Sequence, residues 1–194
     1  LGPPALLITC AGIAQPGHFQ DIPIDVFETT MAVNYFGTLY SIRAVCKSMV
    51  ERQQGTILVV SSIAGLIGVY GYSPYCPSKF AVRGLAETLR AELKPSGIQV
   101  SIAYPPDTDT PQLAAEAKTK PLATQRISAM AKPWSADAVA QAILKGVQRR
   151  DFMITPGFET TLIGKMHSLL APLSNRYFDS IIAKALAETQ HPNQ

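Results

Sequence analysis

The sequence predicts an α/β fold with a parallel sheet. Three short apolar runs carry that expectation: residues 5–9 (ALLIT), 56–61 (TILVVS) and 98–104 (IQVSIAY). Each has the length and β-branched content of a strand buried on both faces. Helical patterns separate the runs, and strands alternating with helices form βαβ units with right-handed crossovers. The 194 residues amount to one domain, with 47% hydrophobic and 16% charged residues, so a disordered chain is excluded.

The elements follow in order. The chain opens Leu1-Gly2-Pro3-Pro4 without a methionine, charged leader or cleavage site. We expect it to begin in the loop before an internal strand. After the first strand, Cys10-Ala11-Gly12 leads into a loop with Pro16 and Gly17. Asp25 and Glu28 have the spacing of a capping box, and a helical pattern runs from about Val26 to Arg52. Gly55 precedes the second strand, and a glycine-rich loop follows it. Pro74 opens a helix that ends near Lys94, before Pro95-Ser96-Gly97. The third strand stops at Pro105-Pro106. Residues 110–132 read as a polar lid with short helical pieces. Ser135 and Asp137 begin the next helix, and residues 152–155 suit a last short strand. Residues 1–155 are expected to form the sheet domain. Residues 156–194 are expected to form a tail of one or two amphipathic helices, interrupted at Pro172.

Composition narrows the function classes. The net charge is +3 and the only short basic cluster is Arg149-Arg150, which argues against nucleic acid as a partner. Cys10, Cys46 and Cys76 are scattered, without a Cys-x-x-Cys pair, and His18, His167 and His191 lack ligand spacing. No metal is expected, and a reducing, cytoplasmic compartment fits. No apolar run reaches the ~18 residues of a membrane span.

The candidate chemistry centres on Tyr75 and Lys79. Four residues apart at a helix start, they share one face. An ammonium beside a phenol lowers its pKa and makes it a usable acid or base. Tyr-x-x-x-Lys alone is a weak signal, and its surroundings strengthen it. Ser61-Ser62 ends the preceding strand, at the carboxyl edge where parallel sheets bind ligands. A hydroxyl there can hold a carbonyl oxygen beside the tyrosine. Asn34 sits mid-helix among Val33, Tyr35 and Phe36, where an amide is costly to bury without partners.

These residues resemble the short-chain dehydrogenase/reductase family. Cys10-Ala11-Gly12 stands where that family has Asn-Ala-Gly, followed by Asn34, Ser62, Tyr75 and Lys79. Residues 105–110 stand where it has Pro-Gly-x-x-x-Thr, with Pro106 replacing the glycine. The match covers roughly residues 5–110. The family's glycine-rich dinucleotide loop does not occur in this sequence, and Gly65, Gly68 and Gly71 read as turn glycines. The resemblance implies the second half of a Rossmann-like, doubly wound sheet. It also implies roles. Tyr75 would protonate a carbonyl oxygen as hydride arrives from a nicotinamide. Lys79 would lower the Tyr75 pKa and hold the ribose, Ser62 would orient the carbonyl, and Asn34 would hold a relay water. Pro105, Asp107, Thr108 and Thr110 would cover the nicotinamide. Ala11 and Gly12 would let backbone approach the adenosine side.

The loop AYPPDTDTP (residues 103–111), the run KFAVRGLAETL (79–89) and Thr119-Lys120-Pro121-Leu122 narrow the resemblance. They are similar to the 3-ketodihydrosphingosine reductases. That resemblance implies NADP(H), with NAD(H) still open, and a lipid ketone substrate. The alternatives are a reductase of another lipid ketone, such as a 3-oxoacyl thioester, and a non-catalytic remnant. The tail repeats apolar residues at helical spacing (Leu162, Ile163, Met166, Leu169, then Phe178, Ile181, Ile182). Such a face suits peripheral association with the cytosolic side of a membrane, or packing on the sheet or on a second copy in a homo-oligomer.

Overall fold

A computed structural model describes residues 2–190. In chain order its elements are β1 (Leu6–Thr9), α1 (Ile24–Met31), a π turn (Ala32–Phe36), α2 (Gly37–Glu51), β2 (Gly55–Val60) and a 3₁₀ turn (Ile63–Gly65). Then come α3 (Tyr75–Leu93), β3 (Ile98–Ala103), β4 (Thr108–Asp109), α4 (Pro111–Glu116), α5 (Leu122–Ser128) and β5 (Trp134–Ser135). The chain closes with α6 (Ala136–Gln148), β6 (Met153–Ile154) and α7 (Phe158–Gln190). The main sheet runs β1-β2-β3-β6, all parallel, with Leu7 opposite Ile57 and Ile57 opposite Val100.

Alternation along β2 and β3 divides the core between two faces. Ile57, Val59, Val100 and Ile102 pack against Ile42 and Met49 of α2 and Val82 and Ala86 of α3. Leu58 and Ala103 point the other way, with Ile154, onto Val139 and Ile143 of α6. Helices therefore cover both faces, as in a doubly wound sheet. Gly146 lets α6 approach closely, because a Cβ there would meet Ile154 at 2.7 Å. On β1, Leu6 and Ile8 are 41% and 43% exposed.

Several elements differ from expectation. Asp25 does not cap α1. Pro23 holds that position with no side-chain bond, and Asp25 lies in the first turn, where its charge favours the helix dipole. The pattern expected as one helix from Val26 to Arg52 is divided by the π turn around Asn34. The tail is one helix through Pro172. A proline in a helix interior forfeits one backbone bond, and the residues flanking it are good helix formers. Residues Asp109 and Ser135, read as lid edge and helix start, also belong to a small parallel ladder, β4 with β5. Ser135 does cap α6, accepting from the Ala138 N–H at 3.2 Å.

Because the main strands are parallel, their carboxyl ends share one edge. The loops leaving β1, β2 and β3 converge there, and α3 starts among them.

Candidate active site

Ser62 follows β2 and caps the 3₁₀ turn, its Oγ accepting from the Ala64 N–H at 3.2 Å. That turn lies against α3. A Cβ on Gly65 would collide with Ser61 Oγ and would come within 2.9 Å of the Lys79 carbonyl, so only glycine permits the approach. Ser61 Oγ donates to the same carbonyl at 3.2 Å. The serine loop is thereby fixed to the first turns of α3, which carry Tyr75 and Lys79.

Tyr75 and Lys79 share one side of the helix, with Lys79 Nζ 5.5 Å from the Tyr75 ring centroid. Burial pushes the Tyr75 phenol well above its ordinary range; a hydrogen bond with Ser62 opposes this, and the charges of Glu116 and Asp107 add to the rise. Lys79 Nζ is held in place by the Val60 carbonyl, to which it donates at 3.1 Å. Lys79 is itself 4% exposed, and burial lowers its pKa from 10.5 to about 8.

Asn34 is buried, 1% exposed, and both of its amide hydrogens are used. Oδ1 accepts from the Ile13 N–H at 2.8 Å, while Nδ2 donates to the Ile13 carbonyl at 3.0 Å and to Ser78 Oγ at 2.9 Å. Asn34 thus ties the loop after β1 to α3. The same bonds set Gly12 in place. A Cβ there would lie 3.2 Å from Asn34 Oδ1 and 3.4 Å from Lys79 Nζ. Gly12 therefore sits beside the lysine that the family resemblance assigns to the nicotinamide ribose. Ala11 is exposed. Ser62, Tyr75, Lys79, Asn34 and Gly12 converge on one edge.

The loop after β3 returns to the same edge. The Ile63 N–H donates to the Pro105 carbonyl at 3.3 Å, which joins this loop to the serine turn. Thr108 Oγ1 donates to the Pro106 carbonyl at 2.9 Å, and Thr110 caps α4 by accepting from the Leu113 N–H at 3.3 Å. Asp107 is half-buried, and its charge reaches Tyr75.

Two residues at the site were not singled out by sequence. The Tyr72 ring lies 5.7 Å from that of Tyr75, and its hydroxyl donates to Glu116 Oε2 at 2.6 Å. Glu116 belongs to the lid helix α4. Its separation of 44 residues from Tyr72 leaves no periodic signal that could pair them. Tyr72, three residues before Tyr75, was the more visible of the two.

Comparison with known proteins follows the same lines. The family model described as short chain dehydrogenase matches residues 1–121. A 3-ketodihydrosphingosine reductase of Dictyostelium discoideum is 48% identical over 179 residues, covering 91% of this chain and 54% of the relative. The protein of that name from Bos taurus is 42% identical over 175 residues, covering 90% and 53%. The chain thus spans about half the length of these relatives. A short-chain dehydrogenase from Sphingobium yanoikuyae, solved in complex with NADPH, superposes with a TM-score of 0.71 at 26% identity, covering 86% of this chain and 65% of that one.

Proposed function

This chain belongs to the short-chain dehydrogenase family, and from that premise we propose that the protein is an NADP(H)-dependent reductase of a long-chain lipid ketone, 3-ketodihydrosphingosine. The observation that carries the reading is the buried Lys79 ammonium 5.5 Å from the Tyr75 ring, with the Ser62 hydroxyl acting on the Tyr75 phenol. The names of the similar reductases support the substrate, and the NADPH-bound neighbour supports the cofactor.

The residues present fit a nicotinamide dinucleotide. Lys79 has three donors, and one goes to Val60. The others suit ribose hydroxyls. Gly12 leaves open the space above Lys79 that a side chain would fill. Pro105, Asp107, Thr108 and Thr110 lie on the loop that would cover the nicotinamide. The dinucleotide, when bound, supplies the hydride. Ser62 donates a hydrogen bond to the substrate carbonyl oxygen and orients it. Tyr75 donates its proton to that oxygen as the carbon is reduced, and the product is an alcohol. Lys79 stays charged near neutral pH, because its lowered pKa is still about 8. Asn34 holds the Ile13 loop and α3 in register, and so holds Gly12 against Lys79. A groove between the serine-side loop, α5 and α7 is lined by Val69, Ile127, Phe178 and Ile182, which suit an alkyl chain, and by Tyr70, Asn175 and Asp179.

The test is Tyr75→Phe in the whole protein. The ring is kept and the proton removed, so turnover of 3-ketodihydrosphingosine with NADPH should fall about 10²–10⁴-fold. NADPH binding, followed by calorimetry, should stay within a few-fold of wild type. Near-normal turnover in the variant would end the proposed role of Tyr75. A wild-type protein that reduces 3-oxoacyl thioesters and not the sphingoid ketone would end the substrate assignment.

A further inference from the structure

We infer that Glu116 is the residue that recognises the substrate's amine, making the enzyme selective for a ketone with an ammonium group on the adjacent carbon. The inference rests on the proposed reduction at Tyr75 and deepens it by assigning specificity.

Glu116 is 8% exposed. Buried carboxylates are ordinarily paired, because an uncompensated charge loses its hydration. The ion pairs among the described residues are Lys47–Glu51, Arg83–Glu87, Arg126–Glu188 and Arg149–Asp151, and none involves Glu116. The nearby Lys120 ammonium lies 5.7 Å from the Tyr72 ring centroid and donates instead to Ser128 Oγ at 3.2 Å. What Glu116 does have is neutral donors. Tyr72 donates to Oε2 at 2.6 Å and Gln112 Nε2 to Oε1 at 2.8 Å. These bonds fix the carboxylate's orientation without forming an ion pair. Each oxygen also keeps a lone pair.

Its position gives that charge a use. Tyr72 bridges Glu116 to the catalytic tyrosine, with ring centroids 5.7 Å apart. The carboxylate is close enough to act electrostatically on the Tyr75 phenol. Asp107, on the loop after β3, acts on the same phenol and adds negative potential there. A carbonyl oxygen held by Tyr75 and Ser62 places the neighbouring carbon's substituent beside this acidic wall. In 3-ketodihydrosphingosine that substituent is an amine, protonated at neutral pH. An ammonium–carboxylate hydrogen bond formed away from water is among the stronger polar contacts. A 3-oxoacyl thioester has no cation at that carbon and would leave Glu116 uncompensated, so the same group selects for one substrate and against the other.

The experiment compares two substrates with two proteins, using the whole protein and NADPH. The substrates are 3-ketodihydrosphingosine and its des-amino analogue of equal chain length. The proteins are wild type and Glu116→Gln, whose amide can still accept from Tyr72. Wild type should prefer the amino ketone, and Glu116→Gln should shrink the preference in kcat/KM about 10- to 100-fold, chiefly through KM. If the variant slows both substrates equally, the role is structural and the inference falls. It falls as well if the preference is unmoved. Should the variant not fold, the wild-type arm decides: equal use of the two ketones, or of the amino ketone and its N-acetyl derivative, overturns the inference while the lipid-ketone reading stands. Reduction of neither ketone by wild type overturns both.

Discussion

Replacing Asn34 by alanine removes three hydrogen bonds at a position that is 1% exposed. Their loss is unequal. Ser78 Oγ keeps its own donation to the Tyr75 carbonyl at 2.7 Å. The Ile13 N–H and carbonyl lose the partners that held them at 2.8 and 3.0 Å. A buried backbone group left without a partner costs about 1–3 kcal/mol. The Ile13 side chain is exposed, so water reaches this loop and the low end applies, about 2 kcal/mol for the pair. The small cavity between the π turn and α3 adds about 1 kcal/mol. The expected destabilisation is therefore about 2–4 kcal/mol. Urea unfolding of the whole protein reads it as a lower midpoint at unchanged slope. Amide exchange should show the Ile13 N–H losing protection beyond that global change. A loss under about 0.5 kcal/mol, or an Ile13 amide that keeps its protection, would refute the assignment of Asn34 as the tie between this loop and α3.

Two further outcomes are expected. Gly65→Ala should push the serine turn away from α3, since its Cβ would meet Ser61 Oγ and the Lys79 carbonyl; a loss of about 1–3 kcal/mol in urea, with impaired turnover, is the readout, and a neutral variant would show that the turn yields. Lys79 should make stability rise with pH: burial lowers its pKa from 10.5 to about 8 in the folded state, so between those values the unfolded chain binds more protons, and the penalty present below pH 8 fades as pH increases. Lys79→Met should flatten that rise, which spans about 3 kcal/mol at most, when urea midpoints at about pH 7.5 and about pH 10 are compared; an equal rise in both proteins would contradict the assignment.

The parts legible in the sequence were those with local signatures. Strand runs such as TILVVS announce themselves by β-branched content, and all three main strands fall within a residue or two of the expected positions. Pro74 before Tyr75 marks the start of α3 because proline suits a first helical turn. Tyr75 and Lys79 share a face by helical geometry alone. Other features depend on contacts that sequence spacing does not encode. The π turn at Asn34 shifts the helical register by one residue, and its neighbours Val33, Tyr35 and Phe36 look like any helix interior. Asn34 bonds to Ile13, 21 residues away, and Glu116 bonds to Tyr72 through the lid. Pro172 signals a break that the surrounding helix formers override. The two-residue ladder of β4 and β5 is too short to carry a period.

Burial acts on Tyr75 and Lys79 in opposite directions, and this bears on the direction of the chemistry. Removing water disfavours charge, so it raises a phenol and lowers an ammonium. The Tyr75 phenol ends well above its ordinary range, with the Glu116 and Asp107 charges adding to the rise. It therefore holds its proton at neutral pH, and the Ser62 hydroxyl favours release. Lys79, at about 8, also remains mostly protonated there. Resemblance to the family suggests a phenolate stabilised by the lysine, which is the state a base needs to take a proton from an alcohol. In this chain Lys79 Nζ bonds to the Val60 carbonyl and lies 5.5 Å from the Tyr75 ring centroid, while burial and two carboxylates raise the phenol. A proton-retaining tyrosine hydrogen-bonded to a serine is set up to give a proton to a carbonyl oxygen. That protonation state is the one the proposed ketone reduction uses, and the carboxylates that raise the phenol are the same groups placed to attract a cationic substrate.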